Sequence, residues 1–311
     1  MKIGMIIVFI ILSLILVLFF LPPFIIYRIL LVRTKKSKWQ RECSWTKDKE
    51  QVEMFDDGKK WLKTYEKNLF NVKIKNDGFT LVGIYFDFGY EKSVIIIAGR
   101  SESCLYSCYF AEPYRKSGFN VLVIDNRSHG ESDGKYNNVG YKEYVDILAW
   151  GKFLHDKKNN KTILCHGICI GSATALYALI DSKCPKYMIG LVADGMFTTF
   201  RESFYNHLVF QHKVKFPTVQ IMMILVTIHS GHNAFKEGPK TCIQNLEKPI
   251  LFLYSKQDKF SLPENAIELY EKCHAPKKLI WFEKGVHSHL RINNIEKYDN
   301  SICGWIAEKF R

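Results

Sequence analysis

Short, almost unbroken apolar runs separated by polar, helix-compatible stretches constrain this chain most. Val94-Ile95-Ile96-Ile97 and Val121-Leu122-Val123-Ile124 have no polar face. A strand that is apolar on both faces must be covered on both, as in a parallel sheet between two layers of helices. The sequence predicts eight strands, at 71–75, 80–88, 93–98, 120–125, 162–166, 187–193, 250–254 and 278–282. Helix candidates fall between them at 105–116, 141–153, 170–181, 263–273 and 292–310, with another at 59–70. The expected fold is therefore α/β, a doubly wound and mostly parallel eight-stranded sheet opened by antiparallel strands. Reactive groups in such sheets collect at the carboxyl ends of the strands. The alternation breaks once, between Gly195 and Gln244, where about fifty residues are rich in Phe, His, Met and Ile. An insertion of that length is expected to form a helical lid, about 196–243; its plainer reading is extra core helices.

The N-terminal segment carries a different signal. No charge occurs from Ile3 to Tyr27, and Met5–Phe20 is apolar apart from Ser13. About 20 such residues, at ~1.5 Å each, span a hydrocarbon core of ~30 Å. Pro22 and Pro23 are expected to end or kink that helix near its interfacial end. Arg28, Arg33, Lys35, Lys36, Lys38 and Arg41 follow, with no acid among them. Positive flanks stay in the cytoplasm, so the reading is an uncleaved single-pass anchor with the rest of the chain cytoplasmic. A cleaved secretion signal is the alternative; the run is long for one and no small-residue cleavage site follows. The expected organisation is a transmembrane anchor at 1–32, a polar connector at 33–65 and the α/β domain at 66–311. The anchor also disposes of a nucleic-acid reading. The 311-residue chain has net charge +13, but residues 1–41 contain seven basic side chains and no acid. The remaining 270 hold 37 basic and 31 acidic side chains, no phosphate-binding excess. Nine cysteines, an odd number without any Cys-x-x-Cys pair, fit neither a disulfide framework nor a structural zinc site.

The segment Thr162–Ala175, TILCHGICIGSATA, runs from strand into helix through Gly167-Ile168-Cys169-Ile170-Gly171. A turn this tight leaves its central residue in a strained backbone conformation and tolerates only glycine at the flanks. It presents the Cys169 side chain at a helix N-terminus, whose free N–H groups and dipole favour a thiolate. The Ile170 amide then points to where an oxyanion would form.

This strand–turn–helix resembles the nucleophile elbow of the alpha/beta hydrolases, with cysteine in place of the usual serine. The match is to the lysophospholipase-like and serine aminopeptidase-like branch. Asp125-Asn126-Arg127-Ser128-His129-Gly130-Glu131-Ser132 resembles the family's Asp-x-Arg-x-His-Gly-x-Ser loop. Tyr254–Pro263 resembles its acid loop and places Asp258 after a strand; Gly285-Val286-His287 resembles its last loop. The order nucleophile, acid, histidine is that of the family, and the resemblance covers about residues 70–311. It implies a Cys169–His287–Asp258 triad, with His289 as a rival for the base two residues on. Arg127 and His129 would brace the elbow, and Cys104, Cys108 and Cys165 would be packing residues.

Two departures bear on chemistry. The family's His-Gly before the first helix is Ala98-Gly99 here, so the first oxyanion amide would come from Arg100 or Ser101. A Gly-x-Cys-x-Gly elbow is similar to that of dienelactone hydrolases, so cysteine is compatible with catalysis. A thiolate attacks well but also leaves easily, which favours activated esters and thioesters over amides. The expected function is a membrane-anchored ester or thioester hydrolase acting through an acyl-enzyme on a small or lipid-like acyl substrate, without metal or organic cofactor. A peptidase on the same scaffold, or a non-catalytic ligand-binding relative, is the alternative.

Overall fold

A computed structural model describes residues 2–43 and 46–310. Eight strands form one sheet in the order β1-β2-β4-β3-β5-β6-β7-β8. They are β1 Leu69–Asn76, β2 Phe79–Phe86, β3 Lys92–Ile97, β4 Asn120–Ile124, β5 Thr162–Ile168, β6 Met188–Asp194, β7 Ile250–Ser255 and β8 Lys277–Phe282. β1 and β2 are antiparallel, β2 is antiparallel to β4, and the rest are parallel. This is the mostly parallel, doubly wound sheet that the apolar runs predict, arranged as the resemblance to the alpha/beta hydrolases implies. Strands β3, β4 and β7 are buried along nearly their whole length because helices cover both faces of the sheet.

One face is covered by α5 (Tyr144–Lys158), α6 (Ile170–Ile180) and α9 (Pro263–Lys272), with Trp150, Leu154, Leu176 and Leu269 in its core. The other face carries α2 (Lys49–Thr64), α3 (Cys104–Ser107), α4 (Glu112–Lys116), α10 (Leu290–Asn293) and α11 (Ile295–Lys309). Three helix expectations need correction. The expected helix at 59–70 lies ten residues earlier, as α2, because Asp48 Oδ1 caps its start by accepting from the amides of Glu50 at 3.0 Å and Gln51 at 3.3 Å. Its inward stripe is Gln51, Met54, Phe55 and Gly58, a helical spacing diluted by the surrounding charges. The single helix expected at 105–116 is broken into α3, a 3₁₀ turn and α4, which has Pro113 in its first turn. The helix expected at 292–310 is interrupted at Asn294.

Residues 196–243 contain α7 (Phe200–Phe210) and α8 (Thr218–Ser230), which stand over the carboxyl end of the sheet. They pack against the end of α1 (Lys2–Leu31), the helix among the described residues long and apolar enough to cross a membrane. Tyr27, Leu31 and Val32 are buried among Phe197, Phe204, Met222 and Met223. Beyond α1 the chain is fastened down. Lys38 Nζ donates to the carbonyls of Arg28 at 2.9 Å and Ile29 at 2.7 Å, while Arg33 Nη2 donates to Gly130 O at 2.6 Å. The Lys38 bonds satisfy carbonyls that the end of α1 leaves without partners, and the Arg33 bond ties the chain to the loop after β4.

Candidate active site

Cys169 sits between β5 and α6 with φ 53° and ψ −112°, a conformation that non-glycine residues adopt only when their surroundings enforce it. The enforcing contacts are local. A Cβ on Gly167 would overlap the backbone of Gly171 and Ser172, and one on Gly171 would overlap the Ile97 carbonyl. Both glycines are therefore required by close approach rather than by a left-handed backbone. The Cys169 amide donates to Asp194 O at 2.9 Å, tying the elbow to the end of β6. The sulfur is partly exposed in a pocket, whereas Cys104, Cys108 and Cys165 are fully buried with thiol pKa values pushed up by desolvation. Those three are packing residues, as the sequence indicated.

Asp258 follows β7 and His287 follows β8, so the sheet brings residues 89 and 118 positions downstream of Cys169 to the same edge. His287 Nδ1–H donates to Asp258 Oδ2 at 2.7 Å, which leaves Nε2 as the working nitrogen. The other Asp258 oxygen accepts from the amides of Phe260 at 2.7 Å and Ser261 at 2.9 Å, fixing the carboxylate. Nε2 is buried with no hydrogen-bond partner of good geometry. The Cys169 sulfur nevertheless lies close enough to act on its charge. Burial alone would lower the His287 pKa, but Asp258 and then Cys169 outweigh it and hold the imidazole well above its ordinary 6.5. A histidine with that preference readily keeps a proton taken from a thiol.

His289 stands elsewhere. Its Nδ1 lies 3.0 Å from Glu50 Oε2 and its Nε2 2.9 Å from Gln51 Oε1, both on α2. The geometry thus separates the two histidines: His287 meets the carboxylate and His289 meets α2.

The two candidate oxyanion loops meet at the elbow. The Ser101 amide donates to His129 Nε2 at 3.2 Å and is spent. The amides of Arg100 and Ile170 have no partner among the described residues. His129 is held by donating from Nδ1 to Arg127 O at 3.0 Å and by stacking on Trp39, and burial lowers its pKa to about 4. Arg127 in turn pairs with Asp146 at 2.7 and 2.8 Å. Both residues brace the loop, as expected from their position.

Sequence reasoning missed a buried chain of contacts behind the site. Glu102 Oε2 accepts from the Gly99 amide at 3.0 Å, and its Oε1 accepts from Gln51 Nε2 at 2.8 Å. Desolvation raises the Glu102 pKa to about 7. Gln51 also reaches His289, so α2 connects the loop carrying Arg100 to the loop carrying His287. Asp194 is a second buried carboxylate, raised to about 7 by desolvation, with Tyr298 donating to its Oδ2 at 2.7 Å. No linear signal joins Gln51 to positions 102 and 289; only the burial of polar residues marks them. Among the described residues no cluster of His, Cys, Asp or Glu is arranged to hold a metal ion.

The pocket over Cys169 is lined by Ile170, Phe197, Phe200, Phe204 and Leu208 of the lid side and by Ile26, Ile29 and Leu30 of α1. It is mainly apolar, with Arg100, His207 and Lys213 also at its wall.

Residues 92–208 match the alpha/beta hydrolase fold family. The chain is 30% identical over 213 residues to the uncharacterized protein YqkD of Bacillus subtilis, covering 68% of this chain and 69% of that one. In structure it is similar to an esterase of Pyrococcus furiosus, with TM-score 0.69 and 23% identity over 80% of this chain and 94% of that one. It is also similar to the alpha/beta hydrolase GrgF of a Penicillium species, with TM-score 0.61 and 16% identity over 78% and 98% of the two chains.

Proposed function

Because this chain belongs to the alpha/beta hydrolases, we propose that it is a membrane-anchored enzyme cleaving an ester or thioester through Cys169, His287 and Asp258. The carrying observation is the 2.7 Å bond from His287 Nδ1 to Asp258, which leaves Nε2 unpaired in a place where the Cys169 sulfur acts on its charge. His287 Nε2 takes the thiol proton, and the sulfur attacks the acyl carbon. The carbonyl pair moves onto oxygen, where the Arg100 and Ile170 amides receive it. One such donor is worth about 3 kcal/mol in typical enzymes. Collapse breaks the bond to the leaving alcohol or thiol, which takes its proton from His287. Water, deprotonated by the same histidine, then attacks the acyl-cysteine and returns the thiol and a carboxylic acid. Asp258 orients the imidazole and stabilises its charge. Placement in a membrane, with the domain on the cytoplasmic side, rests on the α1 composition and the basic flank at 28–41.

Iodoacetamide labelling tests this reading. Cys169 should alkylate fastest of the nine cysteines, and His287→Ala should slow it. On p-nitrophenyl acyl esters and thioesters, His287→Ala should lose about 10²- to 10⁴-fold in kcat. Cys169→Ala should retain almost nothing. A Cys169→Ala protein that hydrolyses a good ester like the parent would leave a ligand-binding role in its place.

A further inference from the structure

Phe260, two residues beyond Asp258, is gripped from the lid. Its ring lies face to face with that of His207 on α7, 3.6 Å between centroids and 18° between planes. Phe210 meets the same ring edge-on at 5.5 Å, and Asn206 Nδ2 donates to the Phe260 carbonyl at 3.2 Å. Positions 206 and 207 each lie about one turn from 210, so one side of α7 forms a continuous seat for this residue. Another side of the helix buries Phe204 and Leu208 in the cluster that includes Tyr27 and Leu31 of α1. Toward the site, Phe260 touches both members of the acid–histidine pair. Its amide donates to Asp258 Oδ1 at 2.7 Å, and its ring stands edge-on to His287 at 5.5 Å and 75°. The second donor to Oδ1, the Ser261 amide at 2.9 Å, is anchored separately, because Ser261 Oγ donates to Gly195 O at the end of β6 at 2.9 Å. One amide on Oδ1 is thus tied to the sheet and the other to the lid. Turning the carboxylate moves its two oxygens together, so the grip on Oδ1 also sets where Oδ2 meets His287 Nδ1. His207 suits this place. Burial, then repulsion from His287 and Arg100, lowers its pKa to about 3, so it stays neutral while His287 carries the proton.

We infer that Phe260 is a positioning residue: through it, lid helix α7 holds the Asp258 carboxylate, and with it the His287 imidazole, in the orientation that acyl transfer at Cys169 requires. This rests on the catalytic reading proposed above. Phe260 does not itself line the pocket over Cys169, whereas His207 does. The lid therefore acts on the reaction in two ways, as a wall of the pocket and as a clamp on the acid. The clamp uses the face of the His207 ring and neither of its nitrogens, so any flat ring of similar size at position 207 serves it. A displacement of about 1 Å at a catalytic group costs on the order of a hundredfold in rate, so a partial loosening of the carboxylate is readable in kcat.

The test uses full-length protein in detergent and two readouts. The first is the far-downfield proton resonance of the His287–Asp258 bond, assigned by its loss in His287→Ala; it reports the bond without turnover. The second is hydrolysis of p-nitrophenyl acyl esters. Phe260→Leu keeps the amide and much of the volume but loses the ring. It should shift the resonance upfield or broaden it, and lower kcat about tenfold while KM stays within about threefold. His207→Ala should move the resonance the same way, and His207→Phe, which keeps the stacked face, should restore both the resonance and most of kcat. Circular dichroism checks folding, and the two His207 variants carry the test if Phe260→Leu does not fold. A resonance and a kcat like wild type in His207→Ala and Phe260→Leu would overturn the assignment. So would a His207→Phe protein as impaired as His207→Ala, or a wild type that shows no such resonance. Wild type and Cys169→Ala, run alongside on the same esters, isolate the catalytic reading. If Cys169-dependent hydrolysis persists while the variants behave like wild type, only the positioning role is wrong. If Cys169→Ala hydrolyses the esters like the parent, the catalytic reading fails, whatever the resonance shows.

Discussion

Exchanging sulfur for oxygen at Cys169 changes one atom and asks much more of His287, because an alcohol gives up its proton far less readily than a thiol. Cys169→Ser should therefore keep measurable ester hydrolysis below wild type, since the elbow geometry survives the change. Glu102 is informative in another way. Burial lifts its pKa from an ordinary 4.5 to about 7. The folded state thus binds that proton more tightly than the unfolded chain. Its contribution to stability is complete below pH 4.5 and is lost as the pH rises through about 7. Asp194 acts with the same sign. His129 acts oppositely: its pKa is depressed to about 4, so its contribution is present above 6.5 and lost as the pH falls through 4. Comparing wild type with Glu102→Gln cancels the other two. In urea unfolding, the stability of wild type relative to the variant should fall between pH 4.5 and 7 and then level off. A difference that stays constant over that range would show that Glu102 does not titrate with burial.

Among the elements, α2 does the least expected work. It precedes the sheet and is dense in charge, yet it buries Met54 and Phe55 and reaches both active-site loops through Gln51. Gly58 makes this approach feasible, because a Cβ there would lie 2.5 Å from the Leu105 carbonyl and 3.1 Å from the Tyr109 amide. Alanine in a helix interior is ordinarily favoured over glycine by about 0.8–1 kcal/mol. Here overpacking costs about 1–3 kcal/mol, so the contact decides the sign. Gly58→Ala should lower the melting temperature and reduce kcat, because α3 and the Glu102 loop shift together. Increased stability in this variant would mean that α2 does not press on α3.

At the scale of the whole molecule, α1 is longer than a bilayer requires. Its 30 residues extend about 45 Å, against a hydrocarbon core of ~30 Å. The surplus is the part docked on the lid. Phe19 meets Phe216 edge-on at 5.7 Å and Tyr27 stacks on His229 at 5.3 Å, so α8 runs alongside α1. The lid tip exposes Val214 by 71% and Phe216 by 65%, with Lys213 before Val214 and Lys215 between the two. Apolar side chains beside lysines that reach back toward water suit a membrane interface. If α1 lies in a bilayer, as proposed, the lid tip falls at the headgroup boundary and the pocket over Cys169 opens beside it. Phe216→Trp should then show blue-shifted fluorescence that brominated lipids quench. Fluorescence like that of a water-exposed indole, unaffected by those lipids, would place the lid away from the membrane.

The strands, the elbow and the order of the proposed nucleophile, acid and histidine were legible in the sequence because each is a local pattern. Apolar β-branched runs need cover on both faces, and a five-residue turn with glycine at both ends admits few conformations. The α1 span was equally plain, since length and lack of charge are properties of one segment. The preference for His287 over His289 rested on the Gly285-Val286-His287 pattern alone; what the distant residues Asp258, Glu50 and Gln51 offer the two histidines is visible only in the tertiary structure. The preference for the Arg100 amide over that of Ser101 likewise draws its support from a distant residue, since His129 takes the Ser101 amide from 28 residues away. The start of α2 and the Gln51–Glu102 link depend on a buried face diluted by surface charge. The wall that α1 lends to the pocket depends on its docking against α7 and α8. Such contacts join residues tens to hundreds of positions apart. Their energies exist only once the sheet has brought those positions together, so the tertiary structure alone decided them.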